Sequence, residues 1–321
     1  MIEKWIDREK AIRTCRTLTY AVFGLTVFLT LPYILTTLLH PSENVSVLPA
    51  CTTCALSHDT FTDVVIRARS AYVYDVTTQT TLFSYNGDAQ LPLASVTKAM
   101  TALLAHELIS SDEEVEVQSS DLLVEGDSGL SMYERFKRND LIDFTLSVSS
   151  NDGARTLARV AGTRLTPQEG DEPIARFIRS MNERAQSLGL VQTFFLNESG
   201  LDESTYVAGA YGSAHDMAML FAEIVRAYPE LLEATTYPSL SIPSSIGTHT
   251  AKNTNSIAGK IPGLIGSKTG FTDLAGGNLV IVFEPEPLHP VVIAVLGSTS
   301  EDRFADTDAL VGATVAMYAP E

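Results

Sequence analysis

Apolar and polar positions divide the chain into a long apolar run, a polar linker and a folded domain. Within the domain, residues 64–76 and 80–85 are rich in β-branched and aromatic side chains and flank a polar turn, which predicts a hairpin. Continuous apolar runs at 277–284 and 290–298 predict two buried strands. Apolar residues at helical spacing predict helices over residues 94–110, 139–149, 152–161, 173–188, 213–227 and 305–318.

The predicted elements follow one another as strands, a block of helices, two more strands and a last helix. This order is typical of an α+β protein rather than of alternating βαβ units. We therefore expect a mostly antiparallel sheet built from both ends of the domain. The helices of residues 95–230 should pack against it as an all-helical subdomain. Ser213, three residues before Asp216, predicts the N-terminal cap of the helix over 213–227.

Residues 17–39 are 23 consecutive residues without a charge. A helix of this length spans about 34 Å at ~1.5 Å per residue, which is enough to cross a bilayer. Five Lys or Arg residues lie in the segment 1–16, and the next one after the run is Arg67. The positive-inside rule then predicts a cytoplasmic segment over 1–16, a single-pass anchor in the cell membrane and an extracytoplasmic location for residues 40–321. A cleaved signal peptide and a buried core helix are the alternatives.

Residues 40–62 are rich in Ser, Thr and Pro, which predicts a stalk between the anchor and a domain over residues 63–321. Cys51 and Cys54 form a C-x-x-C pair in this stalk, but no second Cys pair or His pair follows that would complete a zinc site. A local disulfide or two free thiols are the simpler interpretations. We predict no metal and no cofactor.

The composition limits the classes of function. The 321 residues, 45% of them hydrophobic, suffice for one large domain or two small ones. The net charge is −17, and because residues 1–16 contribute +2 and residues 17–40 contribute none, the remainder carries −19. A surface this acidic disfavours nucleic acid as a partner, since phosphates require a basic face.

Two short polar motifs lie on or between the predicted helices. Ser95 and Lys98 are three residues apart and share one helix face, as an ordinary hydroxyl–amine pair would. The same spacing suits a nucleophile with its base beside it. Ser149 and Asn151 lie at the junction of two helices, where a turn can direct both side chains to one place. Asn151 could equally be a helix N-cap.

A third motif, Lys268-Thr269-Gly270, precedes the turn into the strand over 277–284. Gly270 would let a substrate or another backbone approach closely, whereas the lysine could simply protect an exposed edge strand. The motifs begin at Ser95, Ser149 and Lys268, so they start 54 and then 119 residues apart. In this order they lie on a helix, at a junction of two helices and on a strand. This order resembles the penicillin-recognising serine enzymes.

The flanking sequence narrows the resemblance, which runs from about residue 64 to residue 318. The chain is similar to the D-alanyl-D-alanine carboxypeptidase family of low-molecular-mass penicillin-binding proteins in six segments: LPLASVTKAMTALLA, SVSSNDGARTLA, NESGLD (197–202), SAHDMAML, NTN (253–255) and GSKTGFTDLAGGNLV. The resemblance implies a β-lactamase/transpeptidase-like fold and a serine peptidase of the Ser-x-x-Lys type.

The resemblance implies a catalytic role for each residue of the first two motifs. Ser95 would be the nucleophile and Lys98 its base. Ser149 would relay a proton to the leaving amine, and Asn151 would hold the amide of the substrate. An exposed lysine titrates near 10.4, so Lys98 needs a pKa about 3 units lower to act near pH 7. Burial and a second cation nearby both lower the pKa of a lysine.

The resemblance also implies how the substrate is held. Lys268 and Thr269 of the Lys-Thr-Gly motif would bind its terminal carboxylate, with support from Arg303. The backbone N–H groups of Ser95 and Phe271 would form the oxyanion hole.

The implied activity is removal of the terminal D-alanine from peptidoglycan stem peptides through an acyl-enzyme on Ser95, which β-lactams would also acylate. A D,D-endopeptidase that cuts cross-links fits the same motifs and stays open. A β-lactamase is disfavoured because Thr193 stands where the deacylating glutamate is required. A non-catalytic penicillin-binding sensor is disfavoured by the intact motifs. Ser199, where relatives often have His, and the loop 162–173 leave the substrate preference open.

Overall fold

The computed structural model describes residues 60–167 and 171–319. The predicted cytoplasmic segment, the anchor over 17–39 and nearly all of the stalk lie outside the described residues. Among the helices that are described, none is long and apolar enough to cross a membrane.

The described residues form twelve strands and six α-helices. The strands are β1 (Ser70–Asp75), β2 (Thr80–Tyr85), β3 (Leu91–Pro92), β4 (Glu114–Glu116), β5 (Arg135–Lys137), β6 (Phe194–Phe195), β7 (Ala210–Gly212), β8 (Ser239–Ser244), β9 (Gly247–Lys252), β10 (Leu264–Thr272), β11 (Gly276–Phe283) and β12 (Val291–Ser298). The helices are α1 (Lys98–Leu108), α2 (Arg138–Val148), α3 (Asn151–Gly162), α4 (Pro173–Ser187), α5 (Ala214–Ala227) and α6 (Asp302–Tyr318). Short 3₁₀ turns cover Ala94–Thr97, Asp121–Leu123, Pro229–Thr236 and Ala258–Lys260.

Both ends of the domain meet in one antiparallel sheet, with strand order β10-β11-β12-β1-β2. Ser70 of β1 lies opposite Leu296 of β12, which joins the beginning of the domain to its end. The predicted antiparallel sheet is confirmed. Among the described strands, β10 pairs with β11 alone, so its other side is an open edge.

The sheet is covered on both faces because its central strands are apolar on both faces. In β11, Val280 and Val282 belong to the hydrophobic cluster that includes the buried residues of α1 to α5. Leu279 and Ile281, which alternate with them, belong to a second cluster that includes Leu310 of α6. The helical layer therefore covers one face, and the last helix covers the other.

The predicted helices are all present, with ends shifted by a few residues. Ser213 caps α5 as expected, since its Oγ accepts a hydrogen bond from the N–H of Asp216 at 3.0 Å. The prediction of an all-helical subdomain is wrong in detail, because β4 to β7 lie within residues 95–230. These strands are two or three residues long, which is too short to leave a periodic pattern in the sequence.

Candidate active site

Ser95 lies in the turn that leads into α1. Residues 94–97 form a 3₁₀ turn rather than the first turn of the predicted α-helix, and their first residue has a φ of +47°. That backbone conformation is unfavourable for a residue other than glycine, and the surrounding contacts hold it in place. Asn278 of β11 donates from Nδ2 to the carbonyl groups of Pro92 at 3.0 Å and Leu93 at 2.9 Å. The turn is thereby fixed to the sheet.

Lys98 is fully buried at the start of α1 and contacts three oxygen atoms. Its Nζ lies 2.7 Å from Oγ of Ser95, 2.7 Å from Oδ1 of Asn151 and 2.9 Å from the carbonyl oxygen of Ser199. Burial lowers the pKa of Lys98 to about 7, against the opposing effect of the Glu198 carboxylate. The amine can therefore exchange a proton with the serine near neutral pH.

The Ser-x-Asn motif forms the link between α2 and α3. Ser149 ends α2 in the left-handed conformation, with a φ of +64°. Ser150 caps α3, since its Oγ accepts from the N–H of Gly153 at 2.8 Å. Asn151 is therefore not the N-cap, and its amide is available to the site. Its Nδ2 donates to the carbonyl group of Glu125 at 2.7 Å, which orients Oδ1 toward the buried amine.

Lys268 of β10 is a second buried lysine, on the opposite wall of the site. Its Nζ donates to Oγ of Ser149 and to the carbonyl group of Thr269, each at 2.9 Å. Burial lowers its pKa well below the ordinary value, and the nearby charges of Lys98 and Arg303 lower it further. An anion bound beside Lys268 would favour the ammonium form of this lysine.

Gly270 lets β10 pass close to the nucleophile turn. A Cβ at this position would lie 2.8 Å from the carbonyl oxygen of Leu93 and 3.1 Å from the backbone nitrogen of Ser95. Arg303 Nη1 donates to the carbonyl group of Gly270 at 2.7 Å, and burial lowers its pKa. Phe271 follows with about half of its surface exposed. The structure thus brings all nine predicted site residues together around β10 and the turn that carries Ser95.

Four further residues contact the site without having been assigned a role from the sequence. Thr254 Oγ1 lies 2.6 Å from Oγ1 of Thr269. Ser199 and Glu198 surround the Lys98 amine, and Glu125 orients Asn151 as described above. Thr254 lies in the NTN segment, and Glu198 and Ser199 lie in the NESGLD segment. These segments of the resemblance were the signal in the sequence that could have indicated the three residues. Glu125 acts through its backbone and leaves no signal in the sequence.

The arrangement suits acyl transfer. It combines a hydroxyl beside a proton-accepting amine, a second hydroxyl beside Lys268, and the guanidinium of Arg303 next to the edge strand β10. Among the residues that the structure describes, no group of three His, Cys, Asp or Glu side chains could hold a metal ion.

The fold and the site together define the class of penicillin-binding and transpeptidase proteins. A penicillin-binding protein of Listeria monocytogenes, solved in an ampicillin-bound form, is 31% identical and superposes with a TM-score of 0.65, over 78% of this chain and 98% of that chain. The sequence profile described as D-alanyl-D-alanine carboxypeptidase matches residues 57–300. The chain belongs to this family, which confirms the resemblance drawn from the motifs.

Curated relatives include enzymes of two related activities. D-alanyl-D-alanine carboxypeptidase DacF of Bacillus subtilis is 26% identical over 261 residues, which cover 78% of this chain and 63% of DacF. A D-alanyl-D-alanine endopeptidase of Pseudomonas aeruginosa is 29% identical over 249 residues, or 75% of each protein. The chain thus spans less than two thirds of the length of DacF.

Proposed function

We propose that the chain is a serine D-Ala-D-Ala carboxypeptidase that removes the terminal D-alanine of peptidoglycan stem peptides. The observation that carries the proposal is the 2.7 Å contact between Oγ of Ser95 and Nζ of Lys98, whose pKa is about 7. An amine with that pKa is neutral in about half of the molecules at pH 7, so it can accept the serine proton. Membership of the carboxypeptidase family supports the same activity.

In the first step, Oγ of Ser95 attacks the carbonyl carbon of the penultimate D-alanine while its proton moves to Nζ of Lys98. The π electrons of the carbonyl group move onto its oxygen, which gives a tetrahedral intermediate. The backbone N–H groups of Ser95 and Phe271 would donate to that oxygen. The close passage of β10 at Gly270 supports this pairing of donors.

In the second step, the C–N bond breaks and its electrons move to the leaving amine, which needs a proton. Ser149 would donate that proton and receive one in turn from Lys268, whose Nζ lies 2.9 Å from its Oγ. The released D-alanine departs and leaves an ester on Ser95. Lys98 then loses to solvent the proton that it took from Ser95, and Lys268 regains one, so both amines return to their starting state. A water molecule attacks the ester carbonyl carbon while Lys98 takes its proton, and the C–O bond to Ser95 breaks as Lys98 returns that proton to Oγ.

The substrate would bind along the open edge of β10. Its terminal carboxylate would contact Lys268 and Thr269, and the negative charge would restore the ammonium form of the lysine. Arg303 adds positive charge and supports the strand through the carbonyl group of Gly270. Backbone groups on the free strand edge would pair with the extended peptide, and Asn151 would hold its amide.

β-Lactams would acylate the same serine and form a long-lived adduct. The ampicillin-bound form of the Listeria relative supports the binding of β-lactams. Rapid hydrolysis is not expected, since Thr193 stands where a β-lactamase needs its glutamate. The Thr193 hydroxyl instead donates a hydrogen bond to Asp216 at 2.8 Å.

The second candidate is a D,D-endopeptidase, which the identity to the Pseudomonas endopeptidase favours. Incubation with a peptidoglycan pentapeptide and with a cross-linked muropeptide, followed by chromatography, separates the two. Release of D-alanine from the pentapeptide supports the carboxypeptidase. Cleavage of the cross-linked substrate alone would assign the endopeptidase, and undiminished D-alanine release by Ser95→Ala would refute both.

We also propose that residues 17–39 anchor the protein in the cell membrane with residues 1–16 in the cytoplasm. The charge-free run and the basic residues before it support this proposal. An anchored protein sediments with membranes and stays there after a wash at alkaline pH. Recovery in the soluble fraction with a shortened N-terminus would instead indicate a cleaved signal peptide.

A further inference from the structure

An open cleft of about 560 Å³ adjoins the proposed active site. Its walls are the segment 201–205, the end of β10 with the turn that follows (271–274), and Glu125. Glu125 also supplies the carbonyl group that orients Asn151, so the cleft is continuous with the site.

The proposed binding mode determines which part of the substrate reaches this cleft. The terminal carboxylate lies at Lys268 and Thr269, and the third residue of the stem peptide precedes the last D-alanine by two positions. An extended peptide advances ~3.4 Å per residue, so the third residue lies about 7 Å further along the strand. Thr272 lies about 10 Å from Thr269 by the same spacing. A long side chain on the third residue therefore falls on residues 271–274.

One part of the cleft is apolar. Phe271 exposes about half of its ring, and Leu201 and Leu274 complete this surface. Such walls suit the methylene chain of a long side chain, which buries its apolar stem and keeps its polar end in water.

The remaining part of the cleft is acidic. Glu125, Asp202 and Asp273 line it, and none of the described residues that line the cleft is Lys, Arg or His. Asp202 is held in place by Thr272, whose Oγ1 donates to Oδ1 of the carboxylate at 3.0 Å. This end of β10 is therefore opposite in charge to the end at Lys268, where the substrate carboxylate binds.

We propose that this cleft binds the side chain of the third stem-peptide residue and selects a side chain with a free ammonium group and no carboxylate. The inference rests on the proposed function. If the side-chain amine of the third residue is acylated, the side chain loses the positive charge that the three carboxylates attract. A carboxylate on the side chain would face like charges instead. Because Glu125 and Asp273 are exposed to solvent and Asp202 is partly exposed, the expected preference is modest, about tenfold in kcat/KM.

Three synthetic peptides test the proposal, with D-alanine release as the readout. Nα-acetyl-L-Lys-D-Ala-D-Ala carries the free ammonium, its Nα,Nε-diacetyl form does not, and Nα-acetyl-L-Glu-D-Ala-D-Ala carries a carboxylate. We expect kcat/KM to fall in that order, with the first about tenfold above the second. The ratio should decrease as salt is added, since salt screens exposed charges.

The variants Asp273→Asn and Glu125→Gln should bring the ratio of the two lysine peptides toward one. Asp112→Asn, which removes the same charge at an exposed position outside the cleft, should leave the ratio unchanged. Labelling by a fluorescent penicillin shows that each variant retains a folded site.

Equal turnover of the two lysine peptides by the unmodified protein would refute the inference and leave the proposed function standing. A preference that persists in both cleft variants would also refute it. Failure to release D-alanine from every peptide would instead contradict the proposed function.

Discussion

Lys98 sets the pH dependence that we expect for the acylation of Ser95. Because burial lowers its pKa to about 7, the neutral fraction is about one half at pH 7, about one tenth at pH 6 and about one hundredth at pH 5. The neutral amine takes the serine proton, so acylation slows as the amine is protonated. The second-order rate constant with penicillin should fall about tenfold per pH unit below pH 7 and level off above it.

Two substitutions separate the charge of the lysine from its role as base. Lys98→Arg keeps the positive charge but has no neutral form, so acylation should be about a thousandfold slower at pH 7 and should lose its pH dependence between pH 5 and pH 8. Glu198→Gln removes the carboxylate that raises the pKa of Lys98, so the midpoint of the pH profile should move to lower pH. Glu107→Gln is the matched control, since Glu107 pairs with Arg184 as Glu198 pairs with Arg155, but Glu107 lies at the far end of α1.

The assay is rapid mixing with a fluorescent penicillin between pH 5 and pH 8, with the adduct quantified on gels. Circular dichroism establishes that each variant is folded across that range. A rate that is constant from pH 5 to pH 8 would refute the assignment of Lys98 as base. A midpoint that Glu198→Gln leaves in place would refute the electrostatic part of the reasoning.

Three further predictions concern stability and packing. Folding lowers the pKa of Lys98 from 10.5 to about 7, so the unfolded chain binds more protons between these values and stability rises with pH there. Lys98→Met should therefore be inactive but more stable at pH 7 by about 1–3 kcal/mol in urea unfolding, and a loss of stability would contradict this. Gly270→Ala places a Cβ 2.8 Å from a backbone carbonyl oxygen, and should slow penicillin acylation about tenfold or more. An unchanged rate would show that the close approach is unnecessary. Gly200 and Gly129 have matched φ angles of +80° and +83°, but a Cβ would lie 1.9 Å from a carbonyl oxygen at Gly200 and meet nothing within 4 Å at Gly129. We expect thermal unfolding to report a loss of about 1 kcal/mol for Gly129→Ala and about 3 kcal/mol or more for Gly200→Ala, and equal losses would refute the packing argument.

Much of the fold could be predicted because its larger elements have a clear period in the sequence. The apolar spacing over 213–227 and the cap at Ser213 predicted α5 almost to the residue. The hairpin of β8 and β9 was not predicted, since its strands are largely exposed and carry few apolar residues. The apolar spacing predicts α-helix at Ser95, whereas the structure has a 3₁₀ turn, because the geometry there depends on contacts with Asn278 and Gly200, which are remote in sequence.

The candidate site was predictable from three motifs in order, because the side chains that they contribute carry the chemistry. Its supporting contacts were not, since many of them use backbone groups that every residue has. The carbonyl groups of Ser199 and Glu125 orient Lys98 and Asn151. A backbone carbonyl group does not depend on the side chain, so the residue types at these positions do not predict the contacts. The resemblance supplied Arg303, and the structure adds that its guanidinium contacts the carbonyl group of Gly270.

The central claim is that Ser95 is the nucleophile. The most direct test is to incubate the protein with labelled penicillin, digest it and locate the label by mass spectrometry, in parallel with Ser95→Ala. Ser95 lies at the surface of the cleft and is only partly buried, so the variant should remain folded. The account predicts one stable adduct on the peptide that contains Ser95, and none in the variant. An adduct on another residue, or labelling of Ser95→Ala at the rate of the unmodified protein, would contradict it.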